Sequence, residues 1–139
     1  MIVQDLYLED YDWTIRVYYA TTEYFISNIL IDLLELECDE EAFFKIKYLM
    51  ETGKDDIGFT YSNTEKRASL MLIGITSSAD EFQSTFDHEK GHLAMHICSA
   101  LHINPFSEEY QYLTGEIGKQ LFKIAKKFMC EHCRNDILY

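Results

Sequence analysis

The apolar residues of this chain change spacing three times, and that change limits the fold more than any other feature. Ile2 to Leu8 and Trp13 to Tyr19 carry apolar side chains at alternate positions (Leu6, Leu8; Trp13, Ile15, Val17, Tyr19) on either side of Glu9-Asp10-Tyr11-Asp12. This is the pattern of a hairpin with one buried face. From Thr22 the spacing lengthens to three and four (Phe25, Ile29, Leu33, Leu36), and a second such stripe (Phe43, Ile46, Leu49, Met50) follows Asp39. Two helices are expected there, the second capped by the Asp39 carboxylate. Gly53 is placed to end that helix in a left-handed conformation, with Lys54-Asp55-Asp56 as a polar loop.

Alternation then returns. Ile57 to Tyr61 and Ala68 to Ile75 flank a Ser62-Asn63-Thr64-Glu65-Lys66 turn and predict a second hairpin, with Ser69 to Ile73 as a well-buried strand. Ser78-Ala79-Asp80-Glu81 matches a capping box, and the helix behind it should run from Ala79 to about Leu101. Asn104-Pro105 interrupts it, because the residue before a proline is pushed out of the helical region. Ser107 or Asn104 can cap a last helix that carries Tyr112, Leu113, Leu121, Phe122, Ile124, Ala125 and Phe128 to near Cys130. The expected fold class is α+β: one domain over residues 1–139, with a small antiparallel sheet of about four strands from two hairpins, and four helices.

Size and charge narrow the function. A chain of 139 residues buries roughly two thirds of its unfolded surface, so it needs neither disulfide nor structural metal, and any metal is there for function. Twelve Lys and Arg against twenty-four Asp and Glu leave a formal charge of -12, which repels phosphate backbones and anionic headgroups and argues against nucleic-acid and membrane partners. The opening MIVQDLYLEDYDW has no basic region before an apolar one, and the apolar run from Tyr24 to Leu36 is broken by Asn28, Asp32 and Glu35. Neither export nor membrane insertion is expected. Cys38, Cys98, Cys130 and Cys133 are too few and too uneven for a disulfide framework, and they read as reduced thiols of a cytoplasmic protein.

The third helix contains His88-Glu89-Lys90-Gly91-His92, the HExxH pattern. Residues four apart stand one above the other on a helix, so the two imidazoles can share a zinc ion while Glu89 faces a water on the metal. Zinc lowers the pKa of that water and the carboxylate takes its proton as it attacks a carbonyl, which is how this motif hydrolyses peptides. Gly91 leaves room for a neighbouring element to approach. The competing reading is two surface histidines on an amphipathic helix, with Glu89 solvated or paired with Lys90.

A catalytic zinc usually takes three protein ligands. Glu108, Glu109 and Glu116 follow across the Asn104-Pro105 turn, on a helix able to pack against the first, although glutamates in a first helical turn also serve the helix dipole. His96 extends the histidine stripe, but residue i+8 lies about 12 Å from the first ligand and reads as a supporting or surface group. Tyr110 or Tyr112 could donate to an oxyanion.

HEKGH followed by SEEYQYLTGEIG resembles the gluzincin arrangement, in which a glutamate on the next helix completes the site. It is most similar to short zincin-like metallopeptidases of phages and mobile elements, which carry a Glu four positions before a Tyr-Leu-x-Gly stretch. Tyr112-Leu113-Thr114-Gly115 fills that stretch, so the resemblance implies Glu108 as third ligand. Similarity to the wider ImmA/IrrE group would place the ligand at Glu109, but the Ala-Asn and Met-Pro of that group are missing. The resemblance covers about Ser78 to Gly118. It implies a zinc-dependent peptidase with a protein or peptide substrate held along a sheet edge beside the metal helix. The alternative is a catalytically silent zincin-like protein that binds a partner.

Cys130-Glu131-His132-Cys133 is a lone CxxC. One pair makes half a structural zinc site, and redox chemistry would want it at a helix start, whereas the periodicity places it at a helix end. It reads as two ordinary thiols.

Overall fold

The computed structural model describes residues 2–52 and 58–139 and, of Glu23, the backbone alone. The Gly53 cap, the 54–56 loop and Ile57 lie outside the described residues. The strands are β1 (Ile2–Leu8), β2 (Trp13–Thr21), β3 (Gly58–Asn63) and β4 (Ala68–Gly74). The helices are α1 (Ile26–Glu35), α2 (Glu40–Glu51), α3 (Ala79–Leu101), α4 (Glu108–Ala125) and a short fifth, α5 (Glu131–Leu138).

Both hairpins form, and they join into one four-stranded sheet in the order β1-β2-β4-β3. The expectation of an antiparallel sheet is corrected at its centre, where β2 and β4 run parallel, Thr14 opposite Ala68 and Tyr19 opposite Ile73. The sheet is therefore mixed. A parallel pair needs a long crossover, and α1, α2 and β3 provide it. Central strands covered on both faces read as continuous apolar runs, which is how Val17-Tyr18-Tyr19-Ala20 and Leu70-Met71-Leu72-Ile73 appear.

Helices cover the two faces unequally. Trp13, Ile15, Val17, Tyr19, Met71 and Ile73 pack with Phe82, Phe86, Leu93 and Ile97 of α3 and Leu113, Ile117 and Leu121 of α4. On the other face Tyr18, Leu70 and Leu72 meet Ile29 and Leu33 of α1 and Ile46 and Met50 of α2. Among the described residues no helix is long and apolar enough to cross a membrane.

The helix starts follow their caps. Asp39 accepts from the Ala42 amide at 2.7 Å, Ser78 from Glu81 at 3.2 Å and Ser107 from Tyr110 at 3.3 Å. α3 stops at His102, whose φ of 57° is left-handed.

Candidate metal centre

α3 lies along the edge strand β3, and the contact between them defines the site. Strand alternation turns Gly58, Thr60 and Ser62 toward α3, since their β4 partners Ile73, Met71 and Ser69 belong to that face of the sheet. These are small residues, and the helix comes close. Thr60 Oγ1 donates to Glu89 Oε1 at 2.8 Å and reaches the Glu89 carbonyl at 3.4 Å. Ser62 Oγ is 2.7 Å from His96 Nδ1.

Glu89 is only 5% exposed, whereas Lys90 pairs with Asp87 at 3.2 Å. The solvated or Lys90-paired Glu89 of the competing reading is therefore not what forms. A carboxylate is rarely buried without an ion-pair partner, and among the described residues Glu89 has Thr60 and no cation. At Gly91 an added Cβ would meet nothing within 4 Å among the described residues, so the space beside this glycine stands open.

His88 and His92 stand on the exposed side of α3 with their rings 4.7 Å apart and nearly perpendicular. Their Nε2 atoms are 3.1 Å apart. Two imidazole nitrogens bound to one tetrahedral zinc at 2.0–2.1 Å would be separated by about 3.3 Å. The pair thus already has the spacing that one ion requires of two ligands.

His96 belongs to a chain of hydrogen bonds that begins in the core. Trp13 Nε1 donates to Ser69 Oγ at 2.8 Å, Ser69 Oγ is 2.6 Å from Ser62 Oγ, and Ser62 Oγ meets His96 Nδ1. An indole N–H can only donate. The arrangement that uses every hydrogen has Ser69 donating to Ser62 and Ser62 donating to Nδ1. That leaves the His96 proton on Nε2, where a metal would have to bind. Burial, with a smaller contribution from His92, lowers the His96 pKa and favours the same neutral ring.

The carboxylates across the turn do not join the imidazoles. α4 runs back along α3, with Lys90 near Gly118; burial, and after it the charge of Glu109, raises the pKa of the Cys98 thiol. Glu108 and Glu109 are exposed and lie in the first turn of α4. Glu116 accepts from Gln120 at 2.8 Å, and the Gln120 carbonyl accepts from Gln4 of β1 at 3.1 Å. That flank of α4 faces the sheet edge opposite β3. Tyr110 is partly buried in the α4 core contact, and Tyr112 is 69% exposed. Among the described residues no three His, Cys, Asp or Glu side chains converge as a metal-binding group. The donor set therefore fits two positions of a zinc site.

The CxxC reading also changes. Cys130 is the extended residue just before α5, with φ -120° and ψ 127°, so the pair begins a helix and does not end one. The chain leaves α4 at Ala125, and the turn brings Glu131 to the start of α3 and Arg134 to Thr76. Comparison with protein-family models, with curated proteins and with solved structures gave no match to this chain.

The histidines and Glu89 stand out by residue type, whereas Gly58, Thr60 and Ser62 do not. Their signal was available in GFTYSN, where every second residue is small. A strand face without bulk invites close approach by whatever covers it.

Proposed function

We propose that this chain is a zinc-dependent peptidase in which His88 and His92 hold the metal and Glu89 acts as general base and acid. One juxtaposition carries the reading: two Nε2 atoms 3.1 Å apart on the helix whose buried Glu89 faces the edge strand. Zinc, when bound, supplies the Lewis acidity that makes water a nucleophile near neutral pH. Thr60 holds Glu89 through Oε1, and Oε2, which has no partner among the described residues, takes the proton and returns it to the leaving amine. Among the described residues β3 pairs with β4 on one side only, and an extended peptide added to its other side would run beside α3. The third ligand is assigned to Glu108 by resemblance alone, with Glu109 and Glu116 as alternatives; since none of the three converges on the imidazoles among the described residues, that assignment requires the carboxylate to be drawn in when zinc binds.

A second reading has its own observation. Thr60 and Gly58 engage Glu89 as a bridge between helix and sheet, a role it would also have in a silent zincin-like protein that binds a partner. A peptide-library digest scored for new termini, with wild type, Glu89→Gln and a chelator control, separates the two. Termini from wild type alone support the peptidase. Termini from none of the three support the binding protein.

A further inference from the structure

The Cys130/Cys133 pair is unused by the chemistry above. Both thiols are exposed, Cys98 is buried and Cys38 is half-buried, so a reagent meets this pair first. The Cys130 carbonyl accepts from the Arg134 amide at 2.8 Å, which closes the first turn of α5 and sets Cys133 one turn above Cys130. Helical geometry puts residues i and i+3 about 5 Å apart at Cα, inside the range that a disulfide spans.

The turn is also pinned from outside. Glu131 Oε1 accepts the Ala79 amide at 2.7 Å. Arg134, 4% exposed, donates to the Thr76 carbonyl and lies 3.8 Å from Glu131 Oε2. The two residues that follow the cysteines in sequence are thus anchored at the start of α3, and the pair sits on a rigid turn.

The thiols are not equivalent. The Cys133 amide, the Cys133 thiol and the His132 amide hold the Cys130 pKa below its usual value. The same contact with Cys130 raises Cys133, and burial raises Cys38.

We propose that Cys130 and Cys133 form a reversible dithiol–disulfide site that takes small-molecule disulfides as oxidant, with Cys130 attacking and Cys133 resolving. The Cys130 thiolate attacks one sulfur of the disulfide RSSR, forming a mixed disulfide and releasing one RS⁻. Cys133 then loses its proton and attacks the Cys130 sulfur, which forms the protein disulfide and releases the second RS⁻. The two thiol protons end on the two RS⁻ groups, so the protein dithiol is oxidised and RSSR is reduced to two RSH.

The 139-residue chain, kept in chelator so that the outcome is independent of zinc, is equilibrated with oxidised and reduced glutathione and read by intact mass and peptide mapping. A Cys130–Cys133 link that forms under oxidised glutathione and reverses under reduced glutathione is expected. In Cys133→Ser, glutathione should remain on Cys130, and in Cys130→Ser, Cys133 should take it up about tenfold more slowly. In wild type, Cys130 should be alkylated by iodoacetamide about tenfold faster than Cys38 or Cys133, which requires no variant. Failure of the link to form, equal glutathionylation of the two serine variants, or faster alkylation of Cys38 would overturn the proposal.

Discussion

Gly58 and Glu89 are in such close contact that a Cβ built on the glycine would stand 2.6 Å from both Cγ and Oε2 of the glutamate. No real pair of carbon atoms sits that near without something moving. The Cγ cannot swing aside as the far end of a long side chain would, because Glu89 is buried and tied to Thr60 at 2.8 Å. The position of the carboxylate is therefore set by the strand as much as by its own helix.

Gly58→Ala should displace Glu89 and cost about 1–3 kcal/mol of folding stability by overpacking. Urea unfolding measures the loss. On the peptidase reading the same variant should bind zinc normally and hydrolyse more slowly, so unchanged turnover together with reduced stability would mean that the position of Glu89 is not catalytic.

Glu89→Gln keeps an amide oxygen for Thr60 and should shift stability by less than about 1 kcal/mol. Zinc content should be unchanged, while hydrolysis should fall by about two to four orders of magnitude, the usual contribution of a positioned general base. Metal analysis and the digest, run on one preparation, check both halves.

Zinc titration tests the ligands. Wild type should take up about one zinc per chain, and His88→Ala or His92→Ala should abolish it, whereas Cys130→Ser with Cys133→Ser should not. Glu108→Gln should weaken affinity and Glu109→Gln and Glu116→Gln should not, because a neutral amide is a poor zinc ligand. Equal affinity in all three would remove the Glu108 assignment and leave the imidazole pair standing.

Ser69→Ala should leave the Trp13 N–H without its acceptor in a residue that is 0% exposed. Orphaning a buried donor costs about 1–3 kcal/mol. Ser62→Ala removes two bonds, one with Ser69 and one with half-buried His96, but it leaves the Trp13 N–H its acceptor and should cost less. Denaturant midpoints of the two variants give the comparison.

The pattern of residues made some of this legible. The Ser78 cap and the apolar stripe behind it located α3 from Ala79 to Leu101, and the two alternating pairs located the strands. Strand direction was not legible, because alternation is the same whether a neighbour runs parallel or antiparallel. The unbroken apolar runs in β2 and β4 were the sign that helices cover both faces. The start of α5 has no proline or glycine to mark it. It depends on Glu131 and Arg134 reaching Ala79 and Thr76, contacts that exist only after the chain has folded. His88, Glu89 and His92 were visible through their spacing, while the direction of each carboxylate on α4 was not.

The parallel pairing of β2 with β4 also sets an order of events. Thr14 meets Ala68 and Tyr19 meets Ile73, so the middle of the sheet closes a loop of about fifty residues, an entropic cost incurred before any reward from the contacts. Each hairpin can form early from neighbouring residues, but α3 needs Trp13 and Tyr19 from one and Met71 and Ile73 from the other to bury its apolar side. A nascent chain can thus have its HExxH helix and still lack the wall that aims Glu89. Refolding should bring back helical signal before the tertiary contacts of Trp13, with the slow phase belonging to the union of the hairpins.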